Sequence, residues 1–156
     1  MTMNRREKEI TDSAEIADIM RRAQICRVAM MDGAKPYIVP VNFVVAGDHL
    51  YFHCARRGKK IDILRSNTNV CFQMDVDTEI IAGKNPCDWG MKYLSVIGYG
   101  RAFFVTDAAQ KVKVLNKLMG KYAGAGSYNY PEEIIQKTMI VGVAFEKLTG
   151  KKSPLP

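Results

Sequence analysis

The chain has 156 residues, of which 47% are hydrophobic and 25% are charged, and its formal net charge is +7. This length predicts one domain with a sizeable core, and no apolar run approaches the roughly 20 residues of a membrane-spanning helix. The charged N-terminus lacks the apolar stretch of an export signal, so we expect a single cytoplasmic domain over residues 1–156, with flexible tails at 1–9 and 153–156.

The first half of the chain predicts a helix, three strands and a second helix. Thr11-Asp12-Ser13 supplies helix-capping side chains, and apolar residues then recur at helical spacing as far as Ala23. Beyond it, runs rich in β-branched and aromatic residues predict strands over 25–31, 35–45 and 50–54. The pairs Asp32-Gly33 and Gly47-Asp48 provide turns between these strands. A helix of about two turns is expected over 59–65.

The second half predicts long strands and two further helices. Strands are expected over 70–76, 93–105 and 139–148, and the paired glycines Gly98 and Gly100 predict a bend or bulge in the second of them. A polar loop separates the first two strands at 83–90, and helices are expected over 107–122 and 131–137. Six strands joined mostly by hairpins predict a mainly β protein, an antiparallel barrel decorated with helices.

A basic turn stands between the strand at 50–54 and the helix that follows it. Arg56, Arg57, Lys59 and Lys60 place four cations around Gly58. Free backbone N–H groups at a helix start, the positive end of the helix dipole and lysine ammonium groups all favour a bound dianion such as phosphate. A solvated charge run explains the same residues equally well, so the turn alone leaves both interpretations open.

The strand at 38–42 adds a second component to the phosphate hypothesis. It is apolar and contains Pro40, which has no backbone N–H and so removes one donor from the hydrogen-bond ladder. We expect this strand to lie next to the one that ends at His53. Its surface could then receive a flat heteroaromatic ring while the turn holds a phosphate tail.

Other site chemistries find little support in the residue pattern. The four cysteines form no C-x-x-C pair, which argues against a zinc module and favours reduced thiols packed in the core. His49 and His53 would share one strand face, but no further metal ligands accompany them. Cys54 would point to the opposite face from His53, so we predict no cysteine nucleophile with a histidine base. Fingerprints of dinucleotide-binding and P-loop sites are absent too.

The net charge of +7 would also suit a nucleic-acid-binding module. Lysines on the helix at 107–122 could form its basic face, yet they flank an ordinary apolar stripe and lack interleaved aromatic residues. We therefore expect a solvated face, and nucleic acid is not the favoured partner. The residues concerned are Lys111, Lys113, Lys117 and Lys121.

Four segments occur together in a recognisable order. They are Pro36–Phe43, Tyr51–Asp62, Cys87–Met91 leading into Ser95–Ala102, and Leu148–Ser153. Together they resemble the nitroimidazole-resistance (Nim) branch of the pyridoxamine 5'-phosphate oxidase-like flavoproteins, over roughly residues 3 to 153. The substrate-phosphate arginine and histidine of the oxidase branch are not recognisable near the C-terminus, so pyridoxamine phosphate oxidase activity itself is not expected.

This resemblance implies a six-stranded antiparallel split barrel that binds FMN, or alternatively FAD, in a cleft between two subunits of a homodimer. The phosphate would lie at Gly58, Lys59 and Lys60. The other positions implied to contact or adjoin the cofactor are Val39, Pro40, Val41, Asn42, His53, Cys54, Ser95 and Val96.

The function implied is an FMN-dependent oxidoreductase that reduces a small aromatic substrate such as a nitroimidazole. The alternative is a non-catalytic flavin- or haem-binding protein of the same fold. His53 would donate to the substrate or the reduced flavin, or else serve as a hydrogen-bonded structural histidine. Trp89 would form a wall of the substrate pocket, or else pack at the dimer interface. No metal and no membrane contact are expected.

Overall fold

The structure is a computed structural model that describes residues 5–154. In this range, short 3-10 helices occupy Arg6–Lys8 and Pro86–Asp88. The α-helices are α1 (Ser13–Arg22), α2 (Lys59–Ser66), α3 (Ala108–Tyr122) and α4 (Glu132–Lys137). The strands are β1 (Glu9–Ile10), β2 (Cys26–Asp32), β3 (Lys35–Val41), β4 (Phe43–Ala46), β5 (His49–Ala55), β6 (Asn69–Ile81), β7 (Gly90–Val105) and β8 (Thr138–Ser153). No helix among these residues has the length and apolar character needed to cross a membrane.

All the strands belong to one antiparallel sheet in the order β3-β2-β6-β7-β8-β5-β4, with β1 paired to β8. β3 and β4 lie at opposite ends of this order, although Asn42 alone separates them in the chain. Because consecutive Cα atoms are only about 3.8 Å apart, the two ends of the sheet must approach each other. The sheet therefore curls into a barrel that stays open between β3 and β4, and the predicted split barrel is confirmed.

Two details of the predicted sheet are wrong. The expected strand at 35–45 is two strands, because the chain leaves one end of the sheet at Asn42 and enters the other end at Phe43. The expected pairing of 38–42 beside the strand ending at His53 does not occur, since β5 pairs with β4 and β8. This division and the short β1 give eight strands among residues 5–154 instead of six. The apolar run across Asn42 contains no glycine, and its one break signal, Pro40, lies two residues before the change of strand.

The predicted helices are confirmed, and local hydrogen bonds explain where two of them begin. The Asp12 carboxylate accepts from the Ala14 N–H at 2.8 Å and caps α1, while the Asp107 carboxylate accepts from the Gln110 N–H at 2.8 Å and caps α3. Such caps satisfy N–H groups that have no partner within the helix.

β6 and β7 extend beyond their predicted ends and form a projecting two-stranded arm. Their pairing continues to Ile81 and Gly90 after a register shift that follows Val76. Residues 77–81 mix polar and apolar side chains without alternation, so no strand pattern is recognisable there. The predicted bulge in β7 is confirmed, since the β7–β8 register shifts between Tyr99 and Gly100.

The hydrophobic core lies inside the barrel. Its largest fully buried side chains include Phe43, Phe52 and Phe72, which come from β4, β5 and β6. A smaller cluster holds α3 against the outer face of the sheet, where Leu115 and Leu118 pack near Ile140 of β8.

The predicted flexible tails fall only partly within the described residues. Residues 1–4 and 155–156 lie outside them. Arg6–Lys8 forms a 3-10 helix, Glu9 pairs with Lys151, and Ser153 pairs with Tyr93. The flexibility of the tails remains a prediction.

We expected the lysines of α3 to be solvated, but two of them are not. Lys111 is only 7% exposed, and its ammonium group donates to the carbonyls of Thr138 at 2.8 Å and Ile135 at 3.3 Å. The Lys121 Nζ is buried 3.5 Å from the centre of the Phe43 ring and has no hydrogen-bond partner within residues 5–154. Long side chains let both ammonium groups reach back over the sheet from a helix surface.

We predict that Lys121→Met changes the dependence of stability on pH. Burial lowers the pKa of Lys121 to about 8 from its ordinary 10.5, so between these values the unfolded chain holds a proton that the folded chain has released. Relative to Lys121→Met, the free energy of unfolding of the wild type should therefore rise from pH 8 towards 10.5, by about 1–2 kcal/mol after partial solvent screening. The comparison between the two proteins is needed because burial raises the pKa of Cys26 to about 12, which lowers stability over the same pH range in both.

Urea unfolding at a series of pH values measures this difference. Lys117→Met is the matched control, because Lys117 lies exposed on the same helix, and this variant should keep the rise. Equal pH profiles for Lys121→Met and the wild type would contradict the assignment.

Candidate functional site

The basic turn leads from the end of β5 into the start of α2. The carbonyl of Gly58 accepts from the N–H groups of Ile61 at 2.9 Å and Asp62 at 3.2 Å, which begins the helical ladder. The N–H groups of Lys59 and Lys60 precede that ladder and have no partner within the helix. No side chain of the described residues caps α2, so these donors and the helix dipole are available to an anion.

Gly58 is required by its backbone conformation. Its φ of 126° and ψ of 165° lie in a region that only glycine adopts without strain. A Cβ added there would meet no atom within 4 Å. The space in front of the helix start is therefore open, and the requirement for glycine comes from the backbone alone.

The two lysines of the turn are held differently. The Lys59 ammonium lies 3.0 Å from a carboxylate oxygen of Asp32 and 5.1 Å from the centre of the Tyr37 ring. The half-buried Lys60 carries its ammonium 5.8 Å from the centre of the Phe52 ring and forms no ion pair within residues 5–154. Lys60 thus keeps its charge free, whereas that of Lys59 is largely offset by Asp32.

These contacts bring the turn close to β3 by a route that the sequence did not reveal. Asp32 ends β2 and Tyr37 lies in β3, so Lys59 joins the start of α2 to the β2–β3 hairpin. The basic turn and the apolar strand are neighbours through a side chain and not through strand pairing.

His53 and Cys54 are adjacent residues near the end of β5, which closes at Ala55, and they point to opposite faces of the sheet. His53 is exposed on the outer face and Cys54 is half-buried against the core. Burial raises the pKa of the Cys54 thiol, and the Lys60 charge acts in the opposite direction. The raised pKa keeps the thiol protonated at neutral pH and argues against a thiolate nucleophile.

β3 presents the predicted ring-binding residues in two directions. It lies at the end of the strand order and pairs with β2, so its other edge carries unpaired backbone groups. Val39 and Val41 pack towards the core, whereas Pro40 is exposed on the other face. Their side chains cannot all line one ring, but the backbone edge of β3 from Val39 towards Asn42 has no strand partner.

The other predicted cofactor residues lie on β7 and the arm. Val96 is fully buried in the core, and Ser95 is half-buried on the opposite face. Trp89 is 56% exposed immediately before the start of β7, and the nearby Met91 is 46% exposed. The structure does not bring Trp89 to the basic turn through any contact among the described residues.

A cavity beside the basic turn combines two arginines of that turn with cationic residues that the sequence analysis did not associate with it. Arg56 and Arg57 line it with Ala55, Arg65 and Lys137. Arg65 lies in the last turn of α2. Its closeness in sequence to Arg56 and Arg57 is only a weak indication that it shares a site with them. Lys137 comes from α4, about 80 residues further along the chain, and nothing in the sequence connects it to the turn.

The described residues contain no cluster of three or more side chains suited to hold a metal ion. His49 packs against Tyr51 and Phe103, with ring centres 5.9 and 5.6 Å away. It shares the outer face of β5 with His53, as the alternation of strand residues predicts.

Comparison with known proteins places this geometry in context. Residues 12–152 match the family model of pyridoxamine 5'-phosphate oxidase, and no curated protein matches the chain. A proposed 5-nitroimidazole antibiotic resistance protein from Bacteroides thetaiotaomicron is 28% identical, with a TM-score of 0.83 over 92% of this chain and 86% of that one. The resemblance drawn from the four sequence segments is confirmed.

Two further solved structures share the fold at lower identity. The flavocytochrome Anf3 from Azotobacter vinelandii is 17% identical, with a TM-score of 0.87 over 99% of this chain and 73% of that one. The FAD and haem binding protein from Mycobacterium smegmatis is 15% identical, with a TM-score of 0.85 over 96% and 75%.

We predict that Gly58→Ala destabilises the folded protein by about 1–3 kcal/mol, because alanine is strained in this backbone conformation. Gly120→Ala is the control. Gly120 lies in α3 with no atom within 4 Å of an added Cβ, so alanine there should stabilise by roughly 0.5–1 kcal/mol. Chemical denaturation of both variants measures the difference, and a Gly58→Ala variant as stable as the wild type would show that the turn adopts another conformation.

Proposed function

Since the chain belongs to the pyridoxamine 5'-phosphate oxidase family, we propose that it is a flavin-dependent oxidoreductase that reduces a small aromatic molecule such as a nitroimidazole. The uncapped, cationic start of α2 is the observation that carries this proposal, because it offers a place for the cofactor phosphate. The 28% identity with the Bacteroides protein supports the nitroimidazole class of substrate.

The residues of the turn fit a phosphate in a specific way. The N–H groups of Lys59 and Lys60 have no partner within the helix, and a Cβ added at the neighbouring Gly58 would meet no atom within 4 Å. The unpaired Lys60 ammonium supplies the positive charge. The Lys59 ammonium is paired with Asp32, so we expect Lys59 to contribute chiefly its backbone N–H, and its side chain to position the β2–β3 hairpin.

The ring of the flavin would lie along the free edge of β3. Backbone N–H and C=O groups from Val39 to Asn42 can meet its polar rim, and Pro40 leaves a position without a donor. Flavin supplies electron transfer when bound, so the protein needs to hold, orient and shield it and no acid–base pair is obligatory. FMN is the expected form, with FAD as the alternative.

His53 is the side chain best suited to act near the bound ring. It is exposed on the outer face of β5 and lies five residues before Gly58. The imidazole ring of His53 offers an N–H that can donate a hydrogen bond to a bound substrate or to the flavin. Ser95 and the backbone of Val96 complete the proposed surroundings, and Trp89 remains the proposed wall of the substrate pocket.

We also propose that the functional unit is a homodimer with the flavin between subunits. The outer face of β7 carries an apolar strip in which Ile97 is 41%, Tyr99 49% and Phe103 38% exposed. A second copy covering this strip would remove apolar surface from water, which is the usual driving force for subunit association.

We predict that Lys59→Ala combined with Lys60→Ala weakens FMN binding by at least about tenfold, the effect of losing one charged hydrogen bond. Titration of the purified protein with FMN, followed by flavin absorbance or fluorescence, measures this. Lys113→Ala with Lys117→Ala removes the same charge from the exposed face of α3 and should bind FMN like the wild type. A colourless protein that binds no added FMN would overturn the proposal.

Turnover distinguishes a reductase from a non-catalytic binder. The flavin-loaded protein should be reduced by a nicotinamide donor under anaerobic conditions and then be reoxidised on addition of a 5-nitroimidazole, with the nitro compound reduced in matching amount. Bound flavin that is reduced but transfers no electrons to the nitro compound would contradict the substrate assignment and leave flavin binding intact.

We predict that Ile97→Asp separates the dimer into single chains, because it places a charge within the apolar strip. Ile25→Asp is the control, since Ile25 is 48% exposed but lies in the connection before β2. Sedimentation velocity should find the wild type and Ile25→Asp as dimers. A dimeric Ile97→Asp protein would rule out this strip as the interface.

A further inference from the structure

We infer a second anion-binding site, specific for a diphosphate group, in the cavity beside the basic turn. The cavity has a volume of about 670 Å³ and is lined by Ala55, Arg56, Arg57, Arg65 and Lys137. All four of its charged side chains are cationic. This site is separate from the proposed flavin phosphate site and does not depend on flavin binding.

The fold brings these cations together from three elements. Ala55 pairs in register with Thr138, which places Lys137 of α4 directly beside the end of β5. The Arg56 guanidinium donates to the carbonyl of Gln136 at 3.1 Å and is thereby directed towards the same end of α4. α2 contributes Arg65 from its last turn.

Lys111 holds the far wall of the cavity in place. Its buried ammonium donates to the carbonyls of Ile135 and Thr138, on either side of Lys137. The junction between α4 and β8 is therefore held by hydrogen bonds from Lys111 of α3. A cation on such a junction is already positioned, which reduces the entropy lost when a ligand binds.

The charge of the cavity is not neutralised by the protein. Among residues 5–154, Arg56, Arg57 and Arg65 have no carboxylate within 4.0 Å, whereas Lys137 pairs with Glu133. Four cations less one carboxylate leave a net charge of +3. Like charges held this close repel one another, and a polyanion would relieve that repulsion.

A diphosphate matches this arrangement better than other anions. Arginine guanidinium groups bind phosphate oxygens in pairs, and the net charge of +3 in the cavity exceeds the roughly −1.5 to −2 that a single phosphate group carries at neutral pH. The lining contains no aromatic side chain, which disfavours single-stranded nucleic acid because such sites stack bases on aromatic rings. The concave shape likewise favours a compact ligand over a duplex.

The site lies on a different side of the turn from the proposed flavin phosphate. Gly58, Lys59 and Lys60 do not line the cavity. The Lys59 side chain points instead to Asp32 and Tyr37 in the β2–β3 hairpin. One turn therefore distributes its cations between two surfaces, with Arg56 and Arg57 on the cavity side.

Isothermal titration with inorganic pyrophosphate tests the site, with the protein saturated in FMN and at low ionic strength. We expect one pyrophosphate per chain, bound at least about tenfold more tightly than orthophosphate. Arg65→Gln should weaken pyrophosphate binding at least about fivefold and leave FMN occupancy unchanged. Arg56→Gln should do the same, and Lys113→Gln, which removes an exposed charge from α3, should bind pyrophosphate like the wild type.

Several results would overturn the inference: no binding, equal affinity for orthophosphate, equal binding by Arg65→Gln and the wild type, or release of FMN by pyrophosphate. Competition by random duplex DNA that is stronger than competition by pyrophosphate would replace it with a nucleic-acid surface. Titration with ADP identifies the source of the diphosphate, since tighter binding of ADP supports a nucleotide and equal binding supports the free diphosphate. If the protein binds no FMN, the same titrations of the protein as purified still decide the question.

Discussion

One hydroxyl group holds the chain at the point on which the shape of the barrel depends. Tyr122, at the end of α3, donates to the carbonyl of Gln24 at 2.7 Å and accepts from the N–H of Phe43 at 2.9 Å. Phe43 begins β4, directly after Asn42 has carried the chain across from β3. The tyrosine thus satisfies a backbone donor at the gap between the two ends of the sheet, where strand pairing is missing.

That gap also creates the conditions for a ligand site. Because β3 is not paired to β4, its outer edge keeps free backbone groups, and because β5 pairs with β8, its end delivers the basic turn beside α4. The turn then divides its charges: Lys59 faces the β2–β3 hairpin, while Arg56 is directed to the end of α4. The same strand order therefore produces both the free edge of β3, proposed to hold the flavin ring, and the cationic turn, proposed to hold phosphate groups.

Local chemistry made much of this predictable. Asp12 caps α1 within the segment expected to supply a cap, and α3 begins beside Asp107, where its helical pattern starts. Contacts between distant segments were not predictable. The apolar run through Asn42 gave no sign that the strand changes ends of the sheet, and nothing near Lys121 showed that its ammonium would lie over Phe43. The proximity of Lys137 to the basic turn depends on strand register, which no local pattern encodes.

A crystal structure of the protein grown with FMN tests the central claim most directly. The account predicts the flavin phosphate within hydrogen-bonding distance of the backbone N–H groups of Lys59 and Lys60, and the ring along the free edge of β3. A phosphate bound instead between Arg56, Arg57 and Arg65, or a flavin located away from the β3 edge, would contradict it.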